Sequence, residues 1–375
     1  MHKSKKIGFS GIIFLFSINL FLGGAIFAKA SSSQSPLPIS FGGTGAKTQT
    51  QALTNLGINN IINENSTNST FPSAKAIRDF MNTKITKYFV AVGKGGLISS
   101  CPASKNCSIS GNWTSKVVNS SSTTWISVTR GLDKFVALAE DGTIAYSADT
   151  VSWSLSKASN YTCKVEGTES DSPCKIRFLN NQFFMAGGAS GKIIYSTNGI
   201  NWSTIASCIS KKLPGSSFGL GKYVFAGEDT YAAISSSPTS GYSCKQIGNG
   251  HIIEMMFGDK FVRSGTSGYI GYSTDGTNWS QYVLSDGGHF PTIIYVNKTY
   301  IGVRWQGRIY KSTSGTTAAS WSYITVGSSA WFSIASSGAQ YIVVGQNGAM
   351  AYSTNSTSWG QFTNGSTTWY GVTYG

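Results

Sequence analysis

The sequence is poor in charged residues, since Asp, Glu, Lys and Arg make up only 12% of its 375 residues, about half the roughly 25% of an average soluble protein. It has only 15 acidic residues and 3 histidines, so carboxylate pairs and general bases have few candidates. Aromatic residues, in contrast, reach 13%. This excludes a disordered chain, which would be poor in aromatics, and favours an all-β protein with an uncharged polar surface.

Arginine is also scarce, although the formal net charge is +14. The lysines are scattered singly, whereas a nucleic-acid interface needs basic residues clustered on one stripe, with arginines that read bases. We therefore expect no nucleic-acid partner. We interpret the charge as a weak attraction to anionic surfaces such as polyanionic glycans or cell envelopes.

Long apolar runs are absent after the N-terminus, so no later segment is expected to span a membrane. Residues 1–30 are predicted to be a signal peptide, because Lys3, Lys5 and Lys6 precede an apolar run and Ala28-Lys29-Ala30 fits a small-x-small cleavage site. The run is long for a signal peptide, so a retained N-terminal anchor is the alternative. We expect a secreted, periplasmic or cell-surface protein with no membrane span after cleavage.

The six cysteines include no Cys-x-x-Cys pair, so we expect no zinc site, no other metal and no cofactor. An even number of cysteines in an exported chain favours disulfides. Six cysteines allow 15 pairings, among which short loops favour Cys101–Cys107 and Cys163–Cys174, leaving Cys208–Cys244.

Residues 31–86 are predicted to form a spacer. Residues 37–46 read Leu-Pro-Ile-Ser-Phe-Gly-Gly-Thr-Gly-Ala, and Thr-Asn-Leu-Gly follows within residues 51–58. This pattern resembles a motif of bacteriophage tail-fibre proteins, and residues 71–80 resemble the short helix that follows it there. The resemblance implies a spacer that self-associates, as a trimer. A flexible linker with one short amphipathic helix is the alternative.

The rest of the chain is repetitive. Residues 270–280 read Ile-Gly-Tyr-Ser-Thr-Asp-Gly-Thr-Asn-Trp-Ser, and similar phrases return at 144–154, 194–203 and 350–359. Four short strands at a period near 40 residues are the signature of a propeller blade. The serines that mark the period are Ser147, Ser196, Ser235, Ser273, Ser312 and Ser353.

Seven apolar second strands can be counted, but the first unit lacks a leading strand. Residues 368–375 match residues 125–131, so the C-terminal strand is predicted to complete the first blade. Closing a ring in this way removes two free sheet edges. The sequence therefore predicts an all-β fold, a seven-bladed β-propeller of four-stranded blades, over residues 87–375.

The repeated phrase resembles the Asp-box repeats of sialidase-type propellers, whose pattern is Ser-x-Asp-x-Gly-x-x-Trp, with one residue fewer here. The resemblance implies a structural hairpin between the third and fourth strands, in which Asp or Asn bonds local amides and Trp packs into the blade. The unit near Ser235 has Tyr242 in place of Trp, and the Cys244 disulfide is expected to compensate. The predicted structural residues are Asp149, Trp153, Asn198, Trp202, Asp275, Trp279, Asn355 and Trp359.

The same resemblance raises the question of catalysis. Sialidases use three arginines, a Tyr/Glu nucleophile pair and an acidic acid/base residue, and the first arginine lies in an Arg-Ile-Pro-type motif. That motif is absent here, and serine is too common in this sequence for a Gly-x-Ser-x-Gly match to indicate a nucleophile. We predict no catalytic residues. A sialidase-like glycoside hydrolase or lyase with an unrecognised active site is the alternative.

A binding site is predicted on the face opposite the repeated hairpins. There the turn at residues 303–308 places a Trp and two Arg where other units have small polar residues. An exposed Trp stacks on sugars and Arg pairs with carboxylates, although Trp305 alternatively fills a gap in the ring surface. We predict a non-catalytic recognition or adhesion protein for a surface glycan or protein. The candidate ligand-binding residues are Arg304, Trp305, Arg308, His289, Glu228 and Glu140.

Overall fold

A computed structural model of the protein describes residues 16–17, 26–27, 86–158, 161–163, 174–188, 191–205 and 207–375. The chain divides into two units, Met1–Thr86 and Lys87–Gly375. In the first unit, strand β1 (Phe16–Ser17) pairs with the antiparallel strand β2 (Ile26–Phe27). The predicted signal peptide, spacer and spacer helix otherwise lie outside the described residues and stay predictions.

The second unit consists of seven antiparallel sheets of four strands each, so the predicted seven-bladed propeller is confirmed. The inner strands, in blade order from one to seven, are β30 (Trp369–Tyr374), β6 (Trp125–Gly131), β10 (Lys175–Leu179), β14 (Gly215–Gly219), β18 (Ile252–Phe257), β22 (Thr292–Val296) and β26 (Trp331–Ser336). The second strands are β3 (Tyr88–Gly93), β7 (Lys134–Ala139), β11 (Gln182–Ala186), β15 (Lys222–Ala226), β19 (Phe261–Gly265), β23 (Thr299–Val303) and β27 (Tyr341–Gly345).

The third strands are β4 (Leu97–Pro102), β8 (Thr143–Ser147), β12 (Ile193–Ser196), β16 (Tyr231–Ser235), β20 (Tyr269–Ser273), β24 (Arg308–Ser312) and β28 (Ala349–Ser353). The outer strands are β5 (Thr114–Val117), β9 (Ser154–Lys157), β13 (Ser203–Ile205), β17 (Ser243–Gln246), β21 (Ser280–Val283), β25 (Ser322–Thr325) and β29 (Gly360–Thr363). Short 3-10 turns occupy Ser110–Asn112, Glu228–Thr230, Thr266–Gly268, Ala318–Ser320 and Gln346–Gly348.

The hydrophobic core lies between neighbouring blades. The second strands are apolar at successive positions because a blade covers each of their faces, as in β7, where residues 135–139 are all buried. Val90 and Val92 of blade one, for example, pack with Val128 and Phe135 of blade two. The outer strands β5 and β25 are exposed along their whole length, so burial falls from the centre of the ring to its rim.

The ring is closed by the C-terminal strand, as the sequence predicts. Strand β30 pairs with β3, placing Phe89 opposite Tyr374 and Ala91 opposite Val372. Two backbone hydrogen bonds continue this ladder between Tyr88 and Gly375, at 2.8 and 3.1 Å. The first blade therefore combines residues from both ends of the propeller sequence.

The repeated hairpins are held by their own side chains. In blade five, Ser273 Oγ accepts from Gly276 N (2.8 Å), and Asp275 Oδ1 accepts from Thr277 N and Asn278 N, each at 2.7 Å. Equivalent bonds are made by Ser147 and Asp149, by Ser196 and Asn198, and by Ser353 and Asn355. The following Trp packs on the second strand: Trp202 lies 6.4 Å from Phe183, Trp279 lies 6.1 Å from Phe261 and Trp359 lies 6.0 Å from Tyr341, between ring centroids.

The cysteines form three disulfides, Cys101–Cys107, Cys163–Cys174 and Cys208–Cys244, the pairs that the short-loop argument favours. Three disulfides fit an oxidising environment. Among the described residues, no helix has the length and apolar character needed to cross a membrane.

Candidate binding face

One face of the ring carries the connections between blades together with the turns between second and third strands, and we call it the connection face. All six predicted ligand-binding residues belong to it. Arg304 and Trp305 lie in the turn of blade six, Arg308 begins the strand β24 that follows it, and His289 lies in the connection that leads into that blade. Glu228 and Glu140 lie in the turns of blades four and two, so the structure does not bring them into the same cluster.

Asp286 organises the predicted residues of blade six. Its Oδ2 lies 2.5 Å from Arg304 Nη1 and 2.7 Å from Arg308 Nη1, and it also accepts a hydrogen bond from the Tyr310 hydroxyl. We call these four residues the Asp286 cluster. The cluster carries two cations and one carboxylate, and both arginines already have a carboxylate partner in the chain. A ligand carboxylate would therefore compete with Asp286 for them.

The aromatic residues around this cluster fix the arginines. The guanidinium of Arg308 lies 4.8 Å from the ring centroid of Tyr323, a cation–π contact. Arg304 is packed so closely that a Cβ on Gly288 would lie 1.7 Å from its Nη2. A side chain at position 288, in the connection that supplies Asp286, would therefore displace the Arg304 guanidinium from its present position.

Trp305 is only partly exposed. Its ring meets that of His289 edge-on, at 5.7 Å between centroids, and its indole N–H is buried without a hydrogen-bond partner. The prediction of an exposed tryptophan and the alternative of a tryptophan that fills the ring surface each describe part of this arrangement. The ring contacts His289, its N–H is buried, and another part of the side chain is exposed.

A groove of about 650 Å³ lies on the same face between blades four and five. Lys211 Nζ lies 2.5 Å from Asp229 Oδ2, and Asp229 N donates to His251 Nδ1 at 3.0 Å. The hydrogen bond from Lys211 lowers the pKa of the Asp229 carboxyl. We call this the Asp229 groove; its lining is completed by Thr230, Tyr231, Gln246, Gly248, Asn249 and Gly250. Glu228 lies beside it and accepts a hydrogen bond from Lys212 N at 3.1 Å.

A buried arginine shapes the wall of the Asp229 groove. Arg263 is fully buried, and its guanidinium donates to Asn249 O (3.3 Å), Ile247 O (3.2 Å) and Gln281 Oε1 (2.9 Å). Burial lowers the pKa of Arg263 to about 10, so it remains charged at neutral pH. Its bonds hold the connection at residues 247–251 in place, and a Cβ on Gly271 would lie 2.6 Å from its Nε.

Asp286, Asp229, Lys211, His251 and Arg263 were missed as site residues by sequence reasoning. Because the sequence has so few charges, the position of Asp286 directly after an outer strand is a signal that could have identified it. For Arg263 the signal was a charge within an otherwise apolar strand. Neither signal says which distant residue completes the contact, because Asp286 and Arg308 are joined by folding.

Comparison with known proteins shows the fold and no family. No protein-family model and no curated protein matches the sequence. Among solved structures, the chain is similar to YCF48 bound to a D1 peptide, with 16% identity over 71% of this chain and 87% of that one and a TM-score of 0.54. What the two share is the propeller fold.

Two further structures are similar. YCF48 from Cyanidioschyzon merolae is 14% identical over 68% of this chain and 88% of that one, with a TM-score of 0.49. The computationally designed Ika8 protein is 11% identical over 73% and 80%, with a TM-score of 0.50. The resemblances to sialidase-type propellers and to tail fibres stay predictions from the sequence.

Proposed function

We propose that this chain is an exported, non-catalytic recognition protein that binds a segment of another protein on the connection face. The observation that carries the proposal is the Asp229 groove, an open cavity of about 650 Å³. A polypeptide supplies both charge signs and backbone hydrogen-bonding groups, which suits a groove lined by a Lys–Asp pair, a histidine and a glutamine. Export is supported by the predicted signal peptide and by the three disulfides.

The fold is compatible with this role. YCF48, which has a similar propeller, was solved with a D1 peptide bound, so a propeller of this architecture can accommodate a peptide. The Asp286 cluster lies on the same face, one blade further along the ring, and offers an extended segment a second polar region to contact.

Selection of a displayed random-peptide library on the purified protein tests the proposal. Related sequences should be enriched, and Asp229→Ala should weaken their binding by about 10-fold or more, as expected for loss of a charged hydrogen-bonding group. Asp259→Ala is a matched control, because Asp259 is paired with Lys260 at 2.6 Å on the opposite face. Absence of enrichment, or equal binding by both variants, would contradict the proposal.

Glycan binding is a second candidate, favoured by the accessible part of Trp305 beside His289. A glycan array with the wild-type protein and Trp305→Ala distinguishes the two. If the wild type binds no glycan, this candidate is removed and protein recognition remains.

The glycoside hydrolase alternative has its own readout. Turnover of a fluorogenic glycoside that is abolished by Glu140→Gln or Glu228→Gln would replace the recognition proposal with a catalytic one. The predicted self-association of the spacer is a separate expectation. Sedimentation of the full chain against residues 87–375 tests it, and a trimer is expected only with the spacer.

A further inference from the structure

The inner strands surround a cavity of about 240 Å³ at the centre of the ring, which we call the channel. It is separate from the Asp229 groove and the Asp286 cluster. Its lining combines apolar residues with polar ones, among which Ser127, Lys175, Arg177 and Ser333 matter here.

An ionic network crosses the channel. Glu254 on β18 is fully buried, and its Oε2 accepts from Lys175 Nζ at 2.6 Å and from Arg177 Nη2. Its Oε1 accepts from Met255 N at 2.8 Å. The Lys175 ammonium also donates to the carbonyls of Ile253 and Pro291. All three of its protons are therefore used, and Lys175 with Glu254 forms a closed, neutral pair.

Blade four makes the network possible. Lys175 and Arg177 lie on blade three and Glu254 lies on blade five, so their side chains must pass the inner strand of blade four. That strand begins Gly215-Ser216-Ser217, so its first three residues offer no long side chain. A Cβ on Gly215 would lie 3.2 Å from Ile252 Cγ2 and 3.3 Å from the carbonyl carbon of Glu254. The small residues at the start of this strand therefore allow blades four and five to pack closely.

Arg177 is the surplus cation of this network, since two positive groups face one carboxylate. A guanidinium has five N–H donors, and Glu254 takes one of them. The Nε of Arg177 is buried without a partner, while the side chain as a whole is 22% exposed and lines the channel. Because Nε has no accessible surface, the donors of Arg177 that can reach the channel are the remaining N–H groups of its two Nη atoms.

Neighbouring hydroxyls add further donors. Ser127 Oγ accepts a hydrogen bond at 3.1 Å from the backbone N–H of Ile176, the residue before Arg177. Ser333 Oγ accepts one at 3.1 Å from the backbone N–H of Val372. Both residues line the channel, and a hydroxyl that accepts from an amide can still donate its own proton to a ligand.

We propose that the channel binds a small organic acid through its carboxylate, which Arg177 engages with two parallel N–H···O bonds. One carboxylate brings the network from a net charge of +1 to neutrality, whereas a doubly charged phosphate would leave an excess negative charge in a buried site. The planar guanidinium matches a carboxylate in shape. A cavity of about 240 Å³ admits a ligand of few heavy atoms.

Calorimetric titration of the full-length protein with acetate, propionate and inorganic phosphate tests the proposal. Ligands of this size are expected to reach dissociation constants of about 1 mM. Arg177→Gln should weaken carboxylate binding by about 10- to 100-fold. Arg130→Gln is the matched control, because Arg130 lies on an inner strand but does not line the channel.

A second variant and a second probe complete the experiment. Ser127→Ala leaves the ionic network intact and should weaken binding several-fold, so the proposal stays testable if Arg177→Gln does not fold. A short peptide with a free C-terminus, compared with its C-terminal amide, shows whether the carboxylate can belong to a polypeptide. No saturable carboxylate binding, tighter binding of phosphate, or full binding by both channel variants would overturn the proposal.

Discussion

At the scale of single residues, the repeated hairpin depends on one side-chain oxygen that accepts two backbone amides. Asp275 has this role in blade five, and its backbone hydrogen bonds hold the pKa of the carboxyl well below its usual range. Asn198 and Asn355 accept equivalent bonds without a charge. The hydrogen bonds therefore matter more for the hairpin than the charge does.

Substitutions at Asp275 test this directly. Asp275→Ala should lower the free energy of unfolding by about 1–2 kcal/mol, because two hydrogen bonds from backbone amides are lost, whereas Asp275→Asn should change it by only a few tenths of a kcal/mol. Urea unfolding at neutral pH measures both. Equal destabilisation by the two variants would show that the charge is required.

Lys175 should make stability depend on pH. Burial lowers the pKa of its ammonium to about 8, although the charge of Glu254 partly opposes the shift. Between pH 8 and the ordinary value of about 10.4, the unfolded chain holds a proton that the folded chain has released. The contribution of Lys175 to the free energy of unfolding is therefore least favourable below pH 8. It becomes more favourable as the pH rises across this window.

The expected size is about 1–3 kcal/mol between pH 7.5 and 10, measured as the change in the difference between the wild type and Lys175→Met. Because the test compares how the free energy of unfolding changes with pH, the variant must fold but need not be as stable as the wild type. Lys298→Met, at an exposed lysine, should follow the wild type. A constant difference across the window would contradict the assignment to Lys175.

At the scale of elements, blade four departs from the repeated hairpin. Its loop is closed by Tyr242, whose hydroxyl donates to Pro238 O at 2.9 Å and whose ring packs 5.9 Å from Phe225. The Cys208–Cys244 disulfide ties its outer strand to the connection from blade three. The element thus replaces the Asp/Asn and Trp contacts by an aromatic ring and a covalent bond.

Removal of this disulfide should be more costly than removal of a short one. Cys208 and Cys244 are 36 residues apart, while Cys101 and Cys107 are 6 apart. The loop-entropy model gives losses of about 4 and 2 kcal/mol for the two. Thermal unfolding of the double serine variants of each pair measures the order, and a reversed order would show that strain outweighs chain entropy here.

At the scale of the whole molecule, stability rests on ring closure by β30. Deletion of residues 367–375 should expose the edge of β3 and the blade-one core, including Phe89 and Ala91, and so cause loss of the cooperative transition or aggregation. A synthetic peptide of residues 366–375 should restore the monomer, and a scrambled peptide should not. Gel filtration and calorimetry follow both, and an unchanged truncated chain would contradict this role.

The sequence predicts the fold well because propeller information is local and repeated. Each Tyr-Ser strand and Trp hairpin reports the phase of its blade, and the match of residues 368–375 to 125–131 reveals the closure. The site is predicted only in part. Arg304 and Arg308 stand out in their turn, but their partner Asp286 lies in another connection. Lys175 and Glu254 are 79 residues apart and lie on blades three and five, on either side of an inner strand that begins with small residues.

Closure also sets the timing of folding during synthesis. Tyr88 and Gly375 pair across 287 positions (375 − 88) of the chain, a contact of very high sequence separation, and such contacts form slowly. While the nascent chain emerges, blades two to seven can assemble in order, but β3 has no inner neighbour until residues 369–374 have left the ribosome. The first blade to be translated is therefore the last to be completed.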